Sequence, residues 1–248
     1  MSRSGRVLDG GGLVNDWKHA IECFLDLLFP PHCAGCKKSG YVLCSVCYAS
    51  IRLVSPPFCK YCHASLAMGK ICQKCAYHPL RFNGLRIVGA YQEPLRSYIH
   101  ALKYHGNTRL ARPLGSLLAQ TYRRTGLVAD IIVPVPLHIQ RLQQRGYNQA
   151  QLLAEVCSAQ LGLPLHVSLL YRIRATASQA RLPMSKRLQN VTGAFVLNTN
   201  YNLKEVSKSN ILIIDDICTT GATLEACAAP LLAAGAKTVW GLVLARPL

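Results

Sequence analysis

The chain has 248 residues, half of them hydrophobic, enough to bury one large core or two smaller ones. Its 28 Lys+Arg against 11 Asp+Glu give a formal charge of +17, which points to anionic ligands or partners and away from an acidic, solvating protein. No apolar run reaches the roughly 18–20 residues of a transmembrane helix, so a cytoplasmic protein without membrane insertion is expected.

Residues 1–30 are expected to form a tail and a short amphipathic helix, with Trp17, Ile21, Phe24, Leu25 and Leu28 on one face. Lys18, His19, Glu22 and Asp26 interrupt that apolar stretch and make it a poor export signal. Residues 31–80 then carry eight of the 12 cysteines as four Cys-x-x-Cys pairs: Cys33/Cys36, Cys44/Cys47, Cys59/Cys62 and Cys72/Cys75. Such repeats have zinc-ligand spacing. Each pair makes a knuckle, and two knuckles complete a tetrahedral site of four thiolates. A disulfide framework is the alternative, disfavoured without an export signal. Two structural Zn²⁺ ions in a double zinc ribbon are therefore expected. Sequential pairing joins Cys33/Cys36/Cys44/Cys47 and Cys59/Cys62/Cys72/Cys75. It is preferred because its loops are short and self-contained. Crossed pairing would join Cys33/Cys36/Cys59/Cys62 and Cys44/Cys47/Cys72/Cys75. The segment is rich in Lys, Ser, Pro and Gly, so metal would supply most of its folding free energy.

Eight thiolates and two Zn²⁺ contribute about −4, leaving roughly +13. No Asp or Glu occurs between Asp26 and Glu93, whereas Lys37, Lys38, Arg52, Lys60, Lys70, Lys74, Arg81 and Arg86 do. Tyr41, Tyr48, Phe58, Tyr61, Tyr77 and Phe82 are interleaved with them. Such a surface suits phosphate backbones and stacked bases. It equally suits solvated lysines balancing zinc thiolates.

After a hinge near residues 81–84 the pattern becomes α/β. Strands are expected over 86–91, 131–137, 169–173, 194–197, 211–214 and 238–244. Helices are expected over 93–104, 110–124, 148–161 and 223–234. Their alternation implies a mainly parallel sheet with helices on both faces over residues 84–248. Ligands of such sheets lie at the carboxyl ends of the strands.

The most informative segment is 211–223, Ile-Leu-Ile-Ile-Asp-Asp-Ile-Cys-Thr-Thr-Gly-Ala-Thr. An apolar strand ends in Asp215 and Asp216. A loop with Thr219, Thr220, Gly221, Ala222 and Thr223 then opens into a helix. A turn at a helix N-terminus gathers N–H groups around an anion, and threonine hydroxyls add donors. Two acids beside that anion fit ribose hydroxyls or a metal, so the combination suggests a sugar phosphate. A receiver domain also pairs acids, but after its first strand and with a phosphoacceptor Asp downstream. Here no Asp follows the pair.

The segment resembles the motif by which type I phosphoribosyltransferases bind 5-phosphoribosyl 1-pyrophosphate (PRPP). Further stretches resemble the ComF family: residues 30–36 (Pro-Pro-His-Cys-Ala-Gly-Cys), Leu102-Lys103-Tyr104 to Gly106, 133–137 (Val-Pro-Val-Pro-Leu), 145–149 (Arg-Gly-Tyr-Asn-Gln), and Gln179 through 187–190 (Arg-Leu-Gln-Asn) to 193–195 (Gly-Ala-Phe). The likeness spans about residues 25–248. It implies a zinc-ribbon arm joined to a type I phosphoribosyltransferase-like domain in bacterial proteins of natural competence and use of imported DNA. By the same resemblance, Asp215 and Asp216 hold ribose hydroxyls and Thr219–Thr223 hold the 5′-phosphate. Val135, Pro136 and Leu137 lie at the pyrophosphate loop, and Arg145 and Asn148 near a segment that closes over the site. Lys103, Arg181, Lys186 and Arg187 are cations for pyrophosphate, and Mg²⁺ accompanies PRPP. Thr219 stands where many purine enzymes carry an Asp that assists the base. The resemblance therefore leaves two readings: a transferase acting on PRPP, or a non-catalytic adaptor that senses PRPP while its basic arm handles single-stranded DNA or a DNA-uptake helicase.

Overall fold

A computed structural model describes residues 28–175 and 190–247. The expected N-terminal helix falls almost wholly outside them, as do Arg181, Lys186 and Arg187. In chain order the elements are α1 (Ser45–Ala49), α2 (Gln73–Tyr77), β1 (Gly84–Ala90), α3 (Leu95–Tyr104) and α4 (Ala111–Arg124). They continue with β2 (Ile131–Pro134), α5 (Ile139–Arg145), α6 (Gln149–Leu161), β3 (Leu170–Arg172) and β4 (Phe195–Leu197), and end with β5 (Asn210–Ile217), α7 (Ala222–Ala233) and β6 (Thr238–Arg246). No helix among the described residues is long and apolar enough to cross a membrane.

The main sheet has the order β1-β6-β5-β2, and every pairing in it is parallel. The short β3 and β4 pair antiparallel with each other instead of joining it. Strand alternation explains how both faces are filled. Leu212 and Ile214 of β5 pack into the core formed with α3, α4 and α6. Ile211 and Ile213 pack on the other face, against Leu224, Cys227, Ala228 and Leu231 of α7 and against Leu170 and Phe195 of β3 and β4. A strand apolar on both faces reads as the continuous Ile-Leu-Ile-Ile run seen in the sequence.

β2 ends at Pro134, which pairs with Ile214, whereas β6 accompanies β5 as far as Ile217. Val135 N–H still donates to the Ile214 carbonyl at 2.9 Å, but the Val135 carbonyl then accepts from Asn148 and the Asp216 N–H turns to Asp215 Oδ1, so the ladder ends there. The expected strand over 131–137 is correspondingly shorter, and the carboxyl end of β5 projects past its neighbour. Residues 139–145, where the sequence pattern predicts no element, form α5.

The cysteine-rich segment closes the free edge of β1. Val54 N–H donates to the Val88 carbonyl at 3.0 Å, and Ala90 N–H to that of Arg52 at 3.1 Å. Further along, Leu85 N–H donates to the Tyr61 carbonyl at 2.6 Å and Ile87 N–H to His63 Nδ1 at 2.9 Å. His63 is fully buried. That burial, followed by the Arg86 charge, holds its imidazole down at about 4, so it is neutral and accepts at Nδ1 near pH 7. An edge covered this way cannot recruit another strand. Gly89 makes the cover possible: a Cβ there would lie 2.5 Å from the Arg52 carbonyl oxygen. Gly89→Ala should therefore destabilise the fold by about 1–3 kcal/mol, the usual cost of overpacking, read as a lower urea midpoint at unchanged slope.

Candidate functional site

A cavity of about 850 Å³ opens where β5 outruns β2. Asp215, Asp216, Thr219, Thr220, Gly221, Ala222, Thr223, Leu137, Arg145 and Lys103 line it. Val135 does too, but Pro136 is buried and is not among the lining residues. Chain segments as far apart as 103, 145 and 216 thus meet at one opening.

The alternation that sorts the aliphatic side chains of β5 also separates its two acids. Asp216 has the parity of Leu212 and Ile214 and so faces α3. There its Oδ2 meets Lys103 Nζ at 2.7 Å. Its Oδ1 accepts from Ile217 N–H at 3.0 Å. Burial alone would raise the Asp216 pKa, but the Lys103 charge and hydrogen bond overcome it and hold the carboxyl below the usual range. Burial likewise works against the Lys103 ammonium, yet Asp216 and then Asp215 leave its pKa raised. Asp215 has the other parity. Its Oδ1 accepts from Asp216 N–H at 2.8 Å. Burial, then the neighbouring Asp216 charge, pushes its pKa well above the usual range. Two adjacent acids therefore hold different states: one a paired carboxylate, the other a carboxyl that resists ionisation.

Beyond the acids, burial pushes the Cys218 thiol up to about 12, so it is a packed side chain and a poor nucleophile. Gly221, with φ 96°, turns the chain into α7 and, as its N-cap, brings no side chain to the helix end. Thr220 Oγ1 accepts from Ala222 N–H at 3.3 Å. The loop thus offers hydroxyls and a helix N-terminus to the cavity, the donor set an anion requires.

Arg145 ends α5, bonds through Nη1 to Gln149 Oε1, and lies 5.5 Å from the Tyr104 ring centroid. The Tyr147 hydroxyl donates to the Leu102 carbonyl, which ties this segment to the end of α3. Asn148 is buried. It caps α6 through Ala150 N–H at 3.0 Å and donates to the Val135 carbonyl at 3.0 Å. Residues 139–148 are therefore a helix, a tight turn and a buried cap.

The sequence reading did not single out His100, Tyr104, Arg141, Gln149 or Arg172, all of which line the cavity. Arg172 had a readable signal: on β3 it shares its face with the buried Leu170, so a cation alternates with an apolar residue on the inward side. Tyr104 lies in the Leu102-Lys103-Tyr104 stretch that resembles the family but carried no role of its own, and His100 had only helical spacing from Lys103.

The cysteines form two groups of four sulfurs, Cys33/Cys36/Cys44/Cys47 and Cys59/Cys62/Cys72/Cys75, each with its sulfurs within 4.8 Å of one another. Cys44 and Cys72 cap α1 and α2, each accepting a backbone N–H from the second cysteine of its pair. Burial works against the Cys33 thiolate, yet the Tyr98 hydroxyl and three backbone N–H groups hold its pKa down at about 5. Four thiols with no oxygen donor among them suit zinc. The second group has almost no core besides its ligands: Cys59, Cys62 and Cys75 are the buried residues of its cluster.

Metal analysis should return two zinc ions per chain, and Cys75→Ser should lower the count to one. A separate test exploits the two acids. A lowered native pKa contributes stability that is present above the unfolded value and lost as pH falls through the native one; a raised pKa does the reverse. Asp216→Asn should therefore lower the melting temperature at pH 7, with the deficit fading at acidic pH. Asp215→Asn should raise it at pH 7, with the gain disappearing as pH drops below the ordinary carboxylate range. Shifts of the same sign at pH 7 would contradict this assignment of charge.

Residues 24–76 match the family model described as a double zinc ribbon domain. Competence protein F of Haemophilus influenzae is 33% identical over 222 residues, 85% of this chain and 94% of its own length. The DNA utilization protein YhgH of Salmonella typhimurium is 34% identical over 85% of this chain and 92% of its own. Competence protein ComFC of Bacillus subtilis is 26% identical over 78% of this chain and 79% of its own. Among solved structures, the glutamine PRPP amidotransferase of B. subtilis overlaps 54% of this chain and 25% of its own at 21% identity, with a TM-score of 0.35. With the two four-cysteine groups ahead of a parallel sheet, and a third of residues shared with competence protein F along nearly its whole length, the chain belongs to the ComF family.

Proposed function

We propose that the cavity at the end of β5 binds PRPP and that the protein serves competence and DNA utilization, the terms in which its relatives are named. The observation that carries this reading is the convergence of a Thr/Gly loop, two acids and four cations on one cavity. PRPP is a pentose with an anion at each end. The loop of Thr219, Thr220, Gly221, Ala222 and Thr223 suits the 5′-phosphate. Asp215 and Asp216 suit the ribose hydroxyls, and Lys103, Arg141, Arg145 and Arg172 suit the pyrophosphate oxygens. Mg²⁺ bound with PRPP would neutralise pyrophosphate charge, and Asp215 and Asp216 would be the residues to offer it oxygen donors.

Chemistry at this site rests on placing the sugar and neutralising a departing pyrophosphate, work that positioned cations and N–H groups perform without a covalent step. Thr219 offers no acid to assist an acceptor base. That observation favours a second reading, in which PRPP is sensed and not consumed. For the zinc arm, Lys38 lies 5.5 Å from the Tyr41 ring and Lys60 4.8 Å from that of Tyr61, while Tyr41 and Tyr77 remain exposed. Cations beside open aromatic faces suit single-stranded DNA.

Titration calorimetry of PRPP with Mg²⁺ into the zinc-replete protein should show binding, weakened about tenfold or more in Asp216→Asn by loss of a charged acceptor. Undiminished affinity in a variant that remains folded by circular dichroism would sink the assignment. Pyrophosphate release from PRPP with each free nucleobase in turn then separates transfer from sensing.

A further inference from the structure

We propose that the two cysteine ribbons brace different walls of the cavity: the second holds the Thr/Gly loop, and the first holds α3 with Lys103. Only its consequence for ligand affinity rests on the PRPP reading. The bracing itself is a property of the unliganded chain.

The second ribbon reaches the loop on both sides of its last cysteine. Lys74 Nζ lies 3.5 Å from the Thr220 carbonyl oxygen. Arg81 N–H donates to Glu225 Oε1, in the first turn of α7, at 3.4 Å. Leu80 fills the space before Gly221, its Cδ2 lying 3.6 Å from where a Cβ would stand. Arg246, at the end of β6, donates to the Cys62 carbonyl at 3.2 Å, so the knuckle is also fastened to the strand beside the acids.

The first ribbon reaches the other wall through one residue. The Tyr98 hydroxyl lies 3.4 Å from Cys33 Sγ, and Tyr98 is fully buried in α3. Gly35 makes room for it: a Cβ there would sit 2.7 Å from that hydroxyl oxygen. Cys33, Cys44 and Cys47 share a core with Ile99 and Leu102, the residues that fix the helical turn bearing Lys103. A metal-dependent ribbon that loses its ion loses its fold, and with it these contacts. Each metal site should therefore control the order of its own wall.

The test is amide hydrogen exchange on the full chain, comparing wild type with Cys75→Ser and Cys36→Ser, each retaining one zinc. Cys75→Ser should speed exchange at residues 218–226 by about tenfold and leave 95–104 unchanged; Cys36→Ser should do the opposite. Lys74→Met and Tyr98→Phe, which keep both ions, should give the same pattern with smaller amplitude, and they decide the matter if a cysteine variant fails to fold. Unchanged exchange at both walls, or equal loosening of both in every variant, overturns the proposal. PRPP affinity should also fall about tenfold in Cys75→Ser. If wild type does not bind PRPP, the ligand reading fails while the exchange data still judge the bracing.

Discussion

Two neighbouring acids on a strand buried on both faces are the constraint around which this chain is arranged. An ionised acid taken out of water costs several kcal/mol unless a partner and hydrogen bonds replace its hydration. One strand position cannot supply that partner for both acids, because successive side chains point to opposite faces. Lys103 reaches Asp216 from α3, while Asp215 turns to the other face, where its Oδ1 accepts from a backbone N–H. The result is an acidic pair with an internal asymmetry. Asp216 is fixed by the protein, and Asp215 keeps a carboxyl whose ionisation is opposed until something else arrives. Perturbed groups of this kind gather where a fold meets its ligand.

The same constraint gives the neighbouring elements their functional weight. α3 must hold Lys103 in place, and its own position depends on Tyr98 against the first four-cysteine group. The early end of β2 at Pro134 leaves room beside β5, and Asn148 secures the segment beyond it by gripping the Val135 carbonyl. The ribbons are thus more than an appended arm. They cover the open edge of β1, and they contact Thr220 of the loop and Tyr98 of α3.

Much of this was legible in the residues. The Ile-Leu-Ile-Ile run announced a strand buried on both faces, and Asp-Asp followed by Thr-Thr-Gly announced the turn from that strand into a helix. Eight cysteines at one repeated spacing announced metal. Cavity walls made from helix surfaces were harder to read. Tyr104 and His100 sit on α3 among ordinary amphipathic spacing, and only the packing of that helix over the sheet turns them toward the opening. Residues 139–145, rich in Gln and Arg, carry no buried residue once folded, so hydrophobic periodicity had nothing to register there.

Local chemistry alone determined that this chain builds four-cysteine groups, a parallel sheet and a Thr/Gly loop beside two acids, because those features depend on residue types at short spacing. Which cation neutralises which acid was decided by tertiary structure. So were the joining of β3 to β4 outside the main sheet and the placing of a ribbon lysine against Thr220, whereas the knuckles take the sequential grouping that their short loops favoured. The physical reason is distance along the chain. Lys103 and Asp216 stand 113 residues apart and Lys74 and Thr220 146 apart, and no local spacing rule records a contact formed only when the sheet has assembled between them.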